Sequence, residues 1–259
     1  MKRTRVYLAL PCILLAGAAL AIEPGDPTTT PHRNVTADVQ GEAIRAYLLE
    51  HPEVVREALE ALQRRDALAA AAGARDTLAR HRDALFEDPR SPVLGNPGGD
   101  VTVVEFFDYH CGYCRRSAPA VAALLASDPG VRVVMKEFPI LGPESVLAAK
   151  SALAAARQGR YQAFHDALFQ AESLDAAAID AIAAAMHLDM ARFHADRDDP
   201  AIDALLDGNA AVAAALGIQG TPAFIVGDQL VPSAIDADAL AALVQAVRIK
   251  HSLATEDPT

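Results

Sequence analysis

Tryptophan is absent from this 259-residue chain, and aromatic residues make up only 5% of it. A core without large rings must be assembled from small aliphatic side chains. At 52% hydrophobic residues there are enough for one good core and an appendage, but not for two full domains. Cysteine is nearly missing too. Of three, Cys12 lies in an apolar N-terminal stretch, and the others are Cys111 and Cys114. Once a leader is removed, the only cysteines left are near neighbours, which excludes a long-range staple and leaves a local pair available for chemistry. No basic stripe occurs outside the first residues, which argues against nucleic acid as a partner.

The N-terminus reads as an address. "MKRTRVYLALPCILLAGAALA" has Lys2, Arg3 and Arg5, an apolar run too short to span a bilayer, and a small-residue site at Ala19-Leu20-Ala21. Residues 1–21 are therefore expected to be a cleaved signal peptide. Without those three bases the chain holds 20 Lys+Arg against 34 Asp+Glu, a net charge of −14. Such acidity favours solubility and says little about substrate.

Residues 22–37, "IEPGDPTTTPHRNVTA", are Pro/Thr-rich and read as a flexible linker. Residues 38–87 carry a helical pattern, interrupted at His51-Pro52. Leu48, Val55, Leu62 and Ala69 recur every seven residues with Leu59 beside them, a short and imperfect coiled-coil seam in which Asp66 and Gly73 spoil the second row. This region is expected to self-associate into a dimer or trimer, and "EDPRSPVLGNPGGD" separates it from the catalytic unit. "VTVVEFF" reads as a buried strand, a helix starts at or near Cys111, and "VRVVMKEF" is a second strand, giving a βαβ unit. Residues 143–217 are helical throughout. "PAFIV" and "QLVP" form a hairpin across Gly227-Asp228, and a helix over about 236–250 closes the chain. The expected fold class is α/β: the thioredoxin layout over residues 98–252, with a helical domain inserted at 143–217 between the βαβ unit and the C-terminal hairpin and helix, preceded by a helical arm.

Cys111 and Cys114 stand three apart in the first turn of a helix, close enough for a disulfide without backbone movement. The first sulfur also lies where unpaired N–H groups and the helix dipole favour negative charge, so Cys111 is the expected nucleophile and Cys114 the resolving thiol. Other roles remain to be weighed. A c-type haem needs His directly after the second cysteine, and Arg115 stands there. Structural zinc needs four ligands, and only histidines remain to complete a set. An inert staple closing so short a loop would add little stability. A redox-active dithiol with no metal and no cofactor is the favoured reading.

"EFFDYHCGYC", "KEFPILGPES" and "GTPAFIV" together resemble the bacterial periplasmic thiol-disulfide oxidoreductases, the Dsb proteins, and most closely their DsbA-like branch. The resemblance spans roughly residues 98–250. It implies a periplasmic enzyme acting on unfolded or misoxidised exported proteins through mixed disulfides. It also implies a redox partner that resets the dithiol and a cis peptide at Thr221-Pro222, where Thr221 pairs with an extended client. The acid six residues before the first cysteine is Glu105, which strand alternation places with Val103 and Phe107; partial burial would raise its pKa and let it carry the proton of Cys114. Lys136, on the neighbouring strand, is a possible partner for Glu105 whose face the sequence leaves open. Gly112-Tyr113 between the cysteines, with Thr221 before the proline, resembles the disulfide isomerases, whereas a protonated His110 would make the pair more oxidising. The expected activity is isomerase or reductase. The alternatives are a dithiol oxidase that donates disulfides, and an oligomeric holdase with incidental thiols.

Overall fold

The computed structural model describes residues 35–255, so the expected signal peptide and most of the expected linker lie outside the described residues. Two compact units divide the chain, Met1–Leu62 and Gln63–Thr259. The linker expected to reach residue 37 ends earlier, because α1 already begins at Val35 and runs to Glu50. No Pro or Gly stands at 35–37 to stop a helix, and Ala37 favours one. His51 breaks the pattern, and α2 (Pro52–Arg80) starts on Pro52, whose missing N–H costs nothing in a first turn. Within the first unit Ile44, Tyr47, Leu49, Val55, Leu59 and Leu62 are all exposed.

The second unit is built on a five-stranded sheet in the order β1-β3-β2-β4-β5. β2 (Val101–Phe107) and β3 (Val131–Glu137) are parallel, joined by α3 (Gly112–Ser127), with Val101 opposite Val131 and Phe107 opposite Glu137. β4 (Ala223–Val226) runs antiparallel to β2, and β5 (Gln229–Val231) returns through Gly227, whose φ of 62° suits glycine. Between β3 and β4 stand α4 (Pro143–Ala156), α5 (Tyr161–Gln170), α6 (Ala176–Ala185), α7 (Met190–Arg197) and α8 (Pro200–Ala215). α6, α7 and α8 each open on an aspartate, Asp175, Asp189 and Asp199, whose carboxylate accepts a first-turn N–H. α9 (Ala237–Thr255) closes the chain and runs past the expected limits of 250 and 252.

One strand was not anticipated. β1 (Val93–Gly95) lies in the segment read as a separator and pairs antiparallel with β3. Only Leu94 of its three residues is buried, and Pro92 precedes it, so it carries no alternation to read. The sheet therefore starts before residue 98, where the domain boundary was expected.

Burial on both faces gives β2 and β3 their nearly unbroken apolar runs. Val103, Phe107, Met135 and Phe224 share one core with α3, α9 and helices α4 to α7. Val104, Phe106, Val134 and Ile225 share a second with Leu78 of α2, Leu85 and α8. Lys136 faces this second side, opposite to Glu105, so the two do not pair. Its ammonium donates to the carbonyl of Ala84 and the hydroxyl of Ser91, each at 2.6 Å. Arg132, four residues back on the same face, donates to the carbonyl of Phe86. Both cations thus satisfy carbonyls of a single π-helical turn, Asp83–Glu87, that leads from α2 into the sheet.

Burial lowers the Lys136 pKa to about 8 from 10.5. Between those values the unfolded chain binds the proton more tightly, so stability should rise with pH through that window. We expect the stability of the parent protein relative to Lys136→Met, measured by urea unfolding, to increase from pH 8 to 10.5. A constant difference would mean that Lys136 is not desolvated.

Candidate active site

β2 ends at Phe107, and Asp108 turns the chain toward α3. Its buried carboxylate accepts four hydrogen bonds: from the His110 N–H (2.7 Å), the Ser145 hydroxyl (2.7 Å), and the N–H groups of Ile140 (2.8 Å) and Leu141 (3.0 Å). Its carbonyl accepts from the Cys111 N–H at 3.1 Å. One side chain therefore ties the dithiol loop to the loop that enters α4. Asp108 was not singled out in the sequence, although Asp two residues before a turn N–H is a recognisable side-chain turn signal.

Cys111 is the N-cap of α3, with extended backbone (φ −78°, ψ 113°). Its sulfur accepts the Cys114 N–H at 3.4 Å and donates to the Thr221 carbonyl at 3.2 Å. The Thr221–Pro222 peptide is cis. Burial opposes ionisation of Cys111, but hydrogen bonding from the Thr221 side chain and from the N–H groups of Tyr113 and Cys114 outweighs it and lowers its pKa below the usual thiol value. Cys114 is fully buried, one turn deeper, and burial pushes its pKa far up. The two thiols are thus chemically unequal, one predisposed to ionise and one to hold its proton.

Glu105 is buried on the same sheet face as Phe107, and desolvation alone raises its pKa to about 8. Tyr113 is exposed, with the Arg116 guanidinium 4.2 Å from its ring centroid; Gly112 is exposed beside it. His110 is also exposed, its Nδ1 lying 3.7 Å from Glu144. The structure thus brings Cys111, Cys114, Thr221 and Pro222 together, with Glu105 buried under the sheet's end and His110, Gly112 and Tyr113 at the rim.

A further buried cluster escaped the sequence reading. One carboxylate oxygen of Glu137, the last residue of β3, lies within hydrogen-bond distance of the hydroxyls of Tyr109 (3.1 Å) and Tyr161 (2.9 Å), while the other has no partner. The Tyr109 hydroxyl also lies 3.0 Å from Nδ1 of His165, which is buried. His194 is half exposed and pairs with Asp180. Alternation along β3 would have put Glu137 beside Met135 on the Glu105 face; the adjacent Lys136 drew attention instead. No group of His, Cys, Asp and Glu among the described residues could hold a metal ion.

The profile of the "DSBA-like thioredoxin domain" matches residues 102–247, and that of the "Copper resistance protein ScsC N-terminal domain" matches residues 41–69. A thioredoxin-like oxidoreductase from Silicibacter pomeroyi DSS-3 is 46% identical, with 64% of this chain and 97% of that one covered and a TM-score of 0.63. The catalytic domain of Proteus mirabilis ScsC is 31% identical over 66% of this chain and 97% of its own, at a TM-score of 0.61. Among curated proteins, the Na(+)/H(+) antiporter NhaA of Herminiimonas arsenicoxydans is 30% identical over 170 residues, 63% of this chain. The chain spans about a quarter of the length of the curated relatives it matches (27% of that antiporter).

Two outcomes test the geometry. Iodoacetamide at pH 7 should alkylate Cys111 faster than free cysteine and Cys114 far more slowly, by mass spectrometry of the quenched protein. Glu105 bears on stability as well. Folded, it keeps its proton up to about pH 8; unfolded, it loses it near 4.5, so stability falls as pH rises between the two. Glu105→Gln should therefore be the more stable protein at pH 8, by more than about 1 kcal/mol, with the gap closing toward pH 4.5.

Proposed function

The chain belongs to the DSBA-like thioredoxin family and is a thiol-disulfide oxidoreductase; from that premise we propose that it reduces and reshuffles wrong disulfides in exported proteins, as a homo-oligomer joined through residues 38–87. The thiolate of Cys111 attacks one sulfur of a client disulfide, and the other client sulfur leaves as a thiolate. If a different client thiolate then attacks the client sulfur of this mixed disulfide, Cys111 leaves as its thiolate and the client disulfide has moved. Otherwise Cys114 attacks the Cys111 sulfur, the client leaves reduced, and the enzyme holds a Cys111–Cys114 disulfide for a separate redox partner to reduce. Cys114 must shed its proton in that second step, and the Glu105 carboxylate accepts it. Thr221 offers its backbone to an extended client beside Cys111, with Pro222 shaping that loop and Gly112, Tyr113 and His110 forming its margin.

The observation that carries the isomerase reading is the exposed apolar stripe of Val55, Leu59 and Leu62 on one face of α2. Such a stripe at helical spacing fits a second copy of itself, and paired catalytic units hold a released client long enough to reshuffle it. The leader-like N-terminus supports export to the periplasm, and no helix among the described residues is long and apolar enough to cross a membrane. One observation favours the oxidase alternative. The stabilised Cys111 thiolate makes the disulfide form a better oxidant.

The purified mature protein should reactivate a scrambled multi-disulfide ribonuclease. Leu59→Asp with Leu62→Asp should lower its mass in sedimentation to that of a monomer and reduce reactivation several-fold. Oxidation of reduced ribonuclease without any reshuffling would establish the oxidase instead. Client protection that survives replacement of both cysteines by Ser would establish a holdase. The resolving step should accelerate as pH passes through 8, where Glu105 becomes a base, and Glu105→Gln should flatten that rise.

A further inference from the structure

Most basic side chains of the second unit are matched with acids. Arg157 meets Asp196 and Asp199, Arg197 meets Asp180, Lys150 meets Asp203, and Arg248 spans Asp100 and Asp128. In a chain with 34 acidic residues against 23 basic ones, such matching is the expected state. Arg115 and Arg116 depart from it. They come directly after Cys114, both are exposed, and neither forms an ion pair among the described residues. Arg115 donates only to the Ala171 carbonyl, at 3.3 Å, and Arg116 lies over the Tyr113 ring.

Both guanidinium groups open onto one cleft of about 500 Å³, which begins at His110 and Gly112 and extends to the Ala171–Leu174 loop. Arg116 also borders a second cleft of about 430 Å³ on the other side of α3, walled by Pro119, Ala120 and Ile235. Arg116 and Tyr113 thus form a ridge beside Cys111, with a charged cleft to one side and an apolar one to the other. Two acids line the charged cleft, and they oppose the arginines unequally. Glu144 is engaged with His110, and Glu172 faces solvent. Guanidinium held by a backbone carbonyl or an aromatic face keeps its remaining donors free for a planar carboxylate.

We propose that Arg115 and Arg116 form a subsite for acidic side chains flanking the client cysteine, so that this dithiol exchanges fastest with disulfides set in acidic segments. The inference rests on the reading that the dithiol exchanges with polypeptide disulfides, and it names which of them are preferred. The cations act on the encounter and on the mixed disulfide, where a carboxylate next to the client cysteine meets the ridge. An apolar residue on the other side of that cysteine fits the second cleft.

The test is single-turnover reduction of three peptides by the full-length reduced protein. Each peptide has one internal disulfide and differs only in two residues beside its first cysteine: Glu, Gln or Lys. In each turnover the Cys111 and Cys114 thiols become one disulfide and the peptide disulfide becomes two thiols, so two electrons and two protons pass to the peptide. At low ionic strength the Glu peptide should react about tenfold faster than the Lys peptide, with the Gln peptide between, and 0.5 M salt (roughly a Debye length of 4 Å) should compress the series. Arg115→Gln with Arg116→Gln should bring the Glu-to-Lys ratio close to one. Using the ratio cancels any general change in the Cys111 thiolate. Equal rates in the parent protein, a preference for Lys through Glu172, or a Glu preference that survives in the double variant would each overturn the subsite while leaving the exchange reading intact. No turnover of any peptide would overturn both.

Discussion

The structure depends on where one sulfur atom sits. Cys111 occupies the N-cap of α3, where an acceptor is wanted by N–H groups that have no helical partner, and its sulfur takes the Cys114 N–H. A thiolate fills that role better than a thiol, so the helix stabilises the reactive state of the residue that starts it. The same cap keeps Cys114 one turn inward, in the core, where burial keeps it protonated. Two identical side chains three positions apart are thereby made chemically unequal, one predisposed to ionise and one held in reserve.

Holding that cap in place is the task of groups that never touch the sulfur. Asp108 receives N–H groups from both the dithiol loop and the loop at Ile140 and Leu141, so the start of the inserted helices and the start of α3 cannot move apart without unmaking buried hydrogen bonds. On the other face of the sheet, Lys136 and Arg132 secure the turn after α2. β3 thus serves two fastenings through adjacent residues, Lys136 toward the turn after α2 and Glu137 toward Tyr109 and Tyr161. The strand's period of two separates them completely.

Much of this was legible because it rested on local signals. A bounded apolar run, a Cys-x-x-Cys at a helix start, and Gly227-Asp228 between two short strands each state their own geometry. What was hidden depended on contacts distant in sequence. β1 is three residues that become a strand only because β3 offers an edge. The face of Lys136 was undecidable while both faces of its strand were buried and the alternation was therefore silent. Asp108 and Glu137 looked like ordinary acids; their weight comes from Ser145, Ile140 and Leu141 in one case and from Tyr109 and Tyr161 in the other. The early start of α1 at Val35 has a simpler cause, since the Pro/Thr-rich composition was averaged past its last proline, Pro31.

The Glu137 cluster shows how a buried acid can be kept without a buried charge. The Tyr109 hydroxyl has a single proton and two neighbours, Glu137 and Nδ1 of His165. With Glu137 ionised, both tyrosines donate to it and His165 must donate to Tyr109. With Glu137 protonated, the acid donates to Tyr109 and Tyr109 donates to His165, which then needs a bare Nδ1. Desolvation, together with the charges of Asp108 and Glu105, drives the Glu137 pKa well up, and burial lowers that of His165 to about 3. Both shifts select the second arrangement, a neutral chain running from Tyr161 through Glu137 and Tyr109 to His165. The two arrangements differ by one proton and use the same heavy-atom contacts, so Tyr109, two residues before the nucleophile, keeps its place in either.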